Sequence, residues 1–144
     1  MSLCYDSPGF GYGKTDKDGT PNKVIEKGTL WNTEVRWHVY GDVGAESLDG
    51  TWTLRLKLES MGEGFEGQIK ETTKAYTAVE AGSTPDDRKW KVVFNDLDTN
   101  FLKPDEEGSY TFICNITFKN NLNHPAAMGG TSLPLMLTFY KSAP

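Results

Sequence analysis

Two histidines are the side chains of this 144-residue sequence that could act as general bases near neutral pH without a large pKa shift. His38 falls on the polar side of an alternating segment, and His124 precedes Pro125. Neither histidine has a nucleophile close by in the sequence, and the Gly-x-Ser-x-Gly motif that presents a serine nucleophile is absent. The sequence therefore favours a protein that is not an enzyme.

Carboxylates offer a second kind of chemistry. Glu34, Glu59 and Glu66 could supply the paired acid and base of a sugar hydrolase if they faced a common cleft. Exposed charges on a solvated sheet face are the favoured interpretation. A carboxylate-based hydrolase therefore stands as an alternative function.

Asp16 and Asp18, followed by Gly19, resemble the start of a calcium-binding loop, in which alternate oxygen ligands converge on one cation. The further carboxylates of a complete loop are absent, so an ordinary turn is favoured and no metal or other cofactor is predicted. The acidic stretches 95–98 and 105–107 would form a cation site only if the fold joined their turns. A calcium-stabilised surface domain is kept as an alternative.

Tryptophans could stack on sugars. Three of them are in phase with aliphatic neighbours and are predicted to lie in the core: Trp37, Trp52 and Trp90. Trp31 lies outside the firm alternation and is predicted to belong to any exposed aromatic binding surface. That surface would also include three tyrosines: Tyr40, Tyr76 and Tyr140. Carbohydrate binding is therefore a further alternative.

The segment 120–131 is long for a hairpin connection and unusually apolar for an exposed loop. Long loops on a rigid scaffold often carry recognition. Leu122, His124 and Met128 are therefore predicted, with Trp31 and Tyr40, to bind a ligand. The alternative is that Leu122 and Met128 fold back and cap the core.

Strict two-residue alternation of apolar and polar side chains is the strongest structural signal, and it predicts strands with one buried face. It runs through the segments 34–40, 51–59, 89–94, 110–119 and 133–140. Less regular segments at 67–70 and 75–79 could add further strands. Turn-forming clusters separate these runs and no helical period is sustained, so the sequence predicts an all-β protein.

The run EGSYTFICNITF at 107–118 resembles the penultimate strand of an immunoglobulin-like domain. The resemblance implies an antiparallel β-sandwich of about seven to eight strands, in which the Tyr110 hydroxyl bonds back to the backbone of the preceding turn. Tyr110 precedes Cys114 by four positions rather than two, and no second cysteine lies on an earlier core strand, so an inter-sheet disulfide is not expected. Such a fold does not carry a function by itself.

Length and composition indicate one globular domain over residues 1–144, with 1–27 as a loose lead-in or an edge strand. The net charge of −5, with basic residues spread singly, argues against nucleic acid, and no apolar run is long enough to cross a bilayer. The start shows no signal-peptide pattern, and the compartment is not predicted. Cys4 and Cys114 are predicted to be free thiols, Cys114 as a small buried apolar residue. The sequence thus favours a non-catalytic module that binds another protein or its own copies.

Overall fold

The computed structural model describes residues 2–5, 11–12, 24–40, 49–84, 87–120, 125–131 and 135–143. These residues form strands and turns and no helix, which confirms the all-β class. The described part of the chain accordingly holds no apolar helix that could cross a bilayer.

Seven strands of six residues or more and three shorter strands make up the described chain. Their bounds are β1 (Ser2–Tyr5), β2 (Gly11–Tyr12), β3 (Val24–Glu26), β4 (Trp31–Tyr40), β5 (Gly50–Ser60), β6 (Glu66–Ala75), β7 (Asp87–Leu97), β8 (Gly108–Asn120), β9 (Pro125–Thr131) and β10 (Leu135–Tyr140).

The strands form two sheets. In the smaller sheet β4 pairs with β7, β1 and β2, and every pairing is antiparallel. The larger sheet has the order β3-β10-β8-β5-β6, with β9 also paired to β8. Its pairings are antiparallel except that of β3 with β10, which is parallel. The segment 1–27, predicted as a loose lead-in or an edge strand, thus contains β1 and β2 of the smaller sheet and β3 of the larger sheet.

The alternation in the sequence becomes burial in the structure. On β5 the inward residues Trp52 and Leu56 are fully buried, and on β8 Phe112 and Cys114 are fully buried, whereas the residues between them reach solvent. Cys114 is fully buried, as predicted for a small apolar residue, and burial raises its pKa to about 12. The side chain of Cys4 lies outside the described residues.

One hydrophobic core receives side chains from both sheets. The Trp52 ring of β5 lies 5.7 Å from the Trp37 ring of β4 and 5.1 Å from the Trp90 ring of β7, measured between centroids. The prediction that these three tryptophans pack in the core is confirmed, since each is at most 1% exposed. The inner faces of the two sheets therefore contact each other through aromatic rings.

Two strands differ most from their predictions. β6 contains the suggested segment 67–70 and extends to Ala75, whereas most of the second suggested segment, 76–79, is not a strand. An edge strand with no fully buried residue shows no clear alternation in its sequence. β9 lies inside the segment that the sequence predicted as a loop. Thr131 is the one β-branched residue of its PAAMGGT sequence, which has no aromatic residue, so mainly its pairing with β8 marks it as a strand.

The corner before β8 is fastened by side chains. The Tyr110 hydroxyl donates a hydrogen bond of 2.5 Å to the Glu106 carboxylate, and the same oxygen accepts the Phe65 backbone N–H at 2.9 Å. The Lys27 ammonium donates to the carbonyls of residues 103, 104 and 106 at 2.7–2.9 Å. The expectation of a tyrosine that bonds to the backbone is corrected here, because its partner is a carboxylate side chain four residues upstream.

This pairing perturbs both ionisable groups. The hydrogen bond from Tyr110 holds the pKa of the Glu106 carboxyl below its usual range. Burial, together with the neighbouring carboxylate, raises the pKa of the Tyr110 phenol. The Gly64 backbone approaches the pair so closely that a Cβ there would lie 2.9 Å from the Tyr110 hydroxyl oxygen. The corner is therefore built around an ionised glutamate and a neutral tyrosine.

Candidate functional site

Trp31 does not lie on the surface. Its side chain is 2% exposed, its indole N–H donates to the Asp98 carbonyl at 3.0 Å, and its ring contacts Phe112 and Phe139 edge-on. The prediction of an exposed aromatic at this position is wrong. Thr33 is buried as well, and this polar residue on the inner face of β4 conceals the alternation that continues back to Trp31.

The other residues predicted to bind a ligand have varied placements. Tyr40 ends β4, and Met128 lies within β9, which pairs with β8. Leu122 and His124 lie outside the described residues, as do Asp16 and Asp18 of the weak calcium motif. A ligand-binding role for these residues stays a prediction.

The two remaining tyrosines of the predicted aromatic surface differ from each other. Tyr76 is fully buried, which corrects its predicted exposure, and its ring packs between Trp52 and Trp90. Tyr140 is 40% exposed on β10. Tyr140 is thus the only exposed aromatic among the residues whose side chains are described.

The three glutamates considered for hydrolysis do not share a cleft. Glu59 and Glu66 stand directly opposite each other on β5 and β6 of the larger sheet. Glu34 lies on β4 of the smaller sheet, where it approaches Arg36 and Lys91. A common site for all three carboxylates is therefore excluded.

The acidic turns are occupied by contacts with the protein itself. The Asp98 carboxylate accepts the Asn100 N–H, and the Glu107 carboxylate accepts the Lys141 N–H at 2.7 Å. Glu106 is engaged by Tyr110, as described above. Among the described residues, no three histidine, cysteine or acidic side chains are grouped so that they could hold a metal ion.

An apolar surface does occur on the outer face of the larger sheet. Met61 is 67% exposed, Met136 is 53% exposed and Val24 is 45% exposed. Strand pairing brings them together: Met136 stands opposite Thr111, whose hydroxyl lies 3.9 Å from the Met61 sulfur. These residues, with the hydroxyl-bearing side chains between them, form what we call the methionine patch: Val24, Met61, Ser109, Thr111, Met136 and Thr138.

Hydroxyl groups join the two ends of the patch. Thr138 stands opposite both Ser109 and Val24, and the Ser109 and Thr138 hydroxyl oxygens are 3.0 Å apart. The backbone N–H of Met61 donates to the Ser109 carbonyl at 3.4 Å, which places Met61 beside the start of β8. The patch therefore crosses from β3 through β10 and β8 to the end of β5.

Carboxylates border the patch on two sides. Glu59 stands opposite Thr111 and, on its other side, opposite Glu66. Glu26 stands opposite Tyr140 at the β3 edge of the sheet. These three glutamates are called the acidic rim of the patch.

The smaller sheet carries a charged cleft on its outer face. His38 Nδ1 lies 3.1 Å from the Asp87 carboxylate, and the Lys89 ammonium lies 3.7 Å from that carboxylate. Arg36 and Glu80 line the same cleft, whose volume is about 250 Å³. His38 has an acidic partner that could orient its ring, and among the described residues no serine or cysteine side chain lines the cleft. The described side chains are suited to binding charged groups.

The sequence contained a signal for one residue of the methionine patch. In the run LMLTFY of β10, Met136 lies between two inward leucines and must point outward. The position of Met61 beside β8 depends on pairing between distant segments, which no local pattern shows.

No protein-family model matches this chain, and no curated protein matches it in sequence. A function must therefore be argued from this geometry.

Proposed function

We propose that this chain is an immunoglobulin-like β-sandwich that acts as a non-catalytic binding module, with the methionine patch as the contact surface for a protein partner. The ring contacts between Trp37, Trp52 and Trp90 support the packing of one sheet on the other. The immunoglobulin-like assignment is also favoured by the position of Tyr110 at the start of β8, although its hydroxyl bonds to a carboxylate side chain and not to the backbone.

The observation that carries the proposal is the exposure of Met61, Met136 and Val24 on adjoining strands. Single exposed apolar residues are ordinary, whereas grouped ones mark contact surfaces. Methionine is flexible and polarisable, so a patch built on two methionines adapts to the side chains of a polypeptide.

The acidic rim indicates the chemistry of the partner. Glu59 and Glu66 already face each other as like charges, and a partner with lysine or arginine beside its apolar anchor would relieve that repulsion. A second copy of the chain is a poorer fit, because a two-fold contact through the patch would bring two acidic rims together. We therefore assign the patch to a different polypeptide with an apolar centre and a basic border.

Burial of the aromatic residues favours a protein over a carbohydrate. Four tryptophans and Tyr76 are each at most 2% exposed, which leaves Tyr140 as the one exposed ring among the described side chains. Sugar-binding surfaces depend on aromatic faces that are open to the ligand. A protein contact needs no such platform.

The double variant Met61→Ser and Met136→Ser is expected to bind a partner peptide about tenfold more weakly or worse. The reason is the loss of two exposed apolar side chains that would become buried in the complex. The peptide is selected against the wild-type protein from a random library displayed on phage, and its affinity is measured by fluorescence polarisation. We expect selected sequences to combine apolar anchors with lysine or arginine. Val93→Ser is the matched control, since Val93 is 44% exposed on the smaller sheet.

Three results would contradict this assignment. The library could yield no sequence that binds, or the Val93→Ser control could lose as much affinity as the double variant. Sedimentation could also show a wild-type dimer that Met61→Ser and Met136→Ser dissociate, which would assign the patch to copies of the chain itself.

A further inference from the structure

A guanidinium and an ammonium group stand directly opposite each other on the outer face of the smaller sheet. The register of β4 and β7 pairs Arg36 with Lys91, and it also places Lys89 opposite the ring of His38. Like charges in directly opposed positions destabilise a sheet. The opposed cations therefore lower the stability of the folded protein, and the strand pairing itself does not require positive side chains at these positions.

The carboxylates nearby compensate these cations only loosely. Arg36 lies 3.4 Å from Glu34, and Lys91 lies 3.8 Å from Glu34 and 3.9 Å from Glu80. On the larger sheet, by contrast, Arg55 contacts Glu71 at 2.8 Å, the distance of a charge-assisted hydrogen bond. The cations of the smaller sheet thus keep hydrogen-bonding capacity for another group.

Lys74 brings a further positive charge to the same place from the end of β6. Among the described residues it makes no ion pair within 4 Å. A shallow cleft of about 660 Å³ is lined by four cations and one carboxylate: Arg36, Lys74, Lys89, Lys91 and Glu80. Small residues of the segment 78–81 form another side of the cleft and leave room for a ligand. The cleft is locally positive although the chain carries a net charge of −5.

We infer that this cleft binds a small molecule carrying two or more phosphate-type oxyanions. Three of its four cations are lysines, which bind tetrahedral oxyanions as point charges, whereas a planar carboxylate is best matched by the fork of arginine. The charges are spread over strands β4 and β7 and the end of β6, so a single anionic group would not reach all of them. The site is lined mainly by residues of the smaller sheet, shares no residue with the methionine patch and does not depend on the function proposed for that patch.

Pyrophosphate is the probe, titrated at low ionic strength into the isotope-labelled protein and followed by backbone amide resonances. We expect saturable shifts at Arg36, Lys89 and Lys91. The Lys74→Ala and Lys89→Ala double variant should bind on the order of tenfold more weakly, since each exposed ion pair changes affinity by up to about fivefold. The matched control replaces Lys57 and Lys119, two lysines of the outer face of the larger sheet, with alanine. This control should bind as the wild type does.

Acetate, with one negative charge, should produce no saturable shift at the same residues. The inference fails if pyrophosphate shifts are spread equally over Lys57 and Lys119, if the control variant loses as much affinity as the cleft variant, or if no saturation is reached. Thermal unfolding of each variant without ligand separates a loss of binding from a loss of fold. Protection against heat by pyrophosphate, present in the control and absent in the cleft variant, is the expected second measurement.

Discussion

Replacing Trp90 with phenylalanine should lower the free energy of unfolding by about 3 kcal/mol, while the same change at Trp52 should cost about 1–2 kcal/mol. Both side chains are fully buried among aromatic rings. The Trp90 indole N–H donates to the Tyr76 carbonyl at 2.9 Å, whereas the Trp52 indole N–H has no partner among the described residues. Phenylalanine at position 90 removes a buried hydrogen bond to the Tyr76 carbonyl, while phenylalanine at position 52 removes a donor that makes no hydrogen bond among the described residues.

Urea unfolding of the two variants, followed by circular dichroism, measures this difference. The two sites control each other, because the change in side-chain volume is the same and the rings lie in one cluster. Equal losses at the two positions would show that the Trp90 hydrogen bond contributes nothing beyond packing.

Replacing Tyr110 with phenylalanine should lower the free energy of unfolding by about 2 kcal/mol at neutral pH, because it removes a hydrogen bond to a charged group. The bond to the Glu106 carboxylate is 2.5 Å long, and Tyr110 is 1% exposed. Glu106 would keep the Phe65 N–H as a partner. Tyr140→Phe is the matched control, since it removes a hydroxyl from an exposed tyrosine and should change stability little.

The effect of Tyr110→Phe should depend on pH in a defined direction. The pKa of Glu106 is lower in the folded protein than its usual value, so this carboxylate stabilises the fold at pH values above the usual glutamate range. That contribution is lost as the pH falls through the lowered pKa. The raised pKa of Tyr110 gives a contribution that is complete below the usual tyrosine range and is lost as the pH rises through the raised pKa.

The free energies of unfolding of the wild type and of Tyr110→Phe should therefore differ most at neutral pH and become similar at acidic pH. Urea unfolding at neutral and acidic pH tests this, with Glu106→Gln in a double-mutant cycle to isolate the pair. A stability difference that stays constant down to pH values at which glutamates are protonated would show that the ionised carboxylate is not the partner that matters.

The sequence predicted those strands that have one buried face. On β5 and β8 every inward position carries an apolar or aromatic side chain, so the pattern of residues and the pattern of burial coincide. At the start of β4 the inward Thr33 interrupts that pattern, and Trp31 beyond it was therefore placed on the surface. The buried threonine alone was enough to hide the earlier start of β4 at Trp31.

The candidate surfaces were harder to predict, because each is assembled from distant segments. Met136 could be oriented from its own strand, but its neighbours Met61 and Val24 reach it only through the pairing of β8 with β10 and of β10 with β3. The shallow positive cleft similarly needs the register of β4 against β7, which sets Arg36 opposite Lys91. Local alternation gives the face of each side chain, and register across strands gives its neighbours.

The parallel pairing of β3 with β10 has a consequence for how the molecule forms. Val24 and Thr138 lie near opposite ends of the described chain, so their pairing closes a very long loop, and the entropy cost of closure grows with loop length. Folds dominated by such remote pairings refold in roughly milliseconds to seconds, far more slowly than helical bundles. Val24 joins its neighbours only when this pairing is made, so a chain that has not yet formed it presents an incomplete methionine patch.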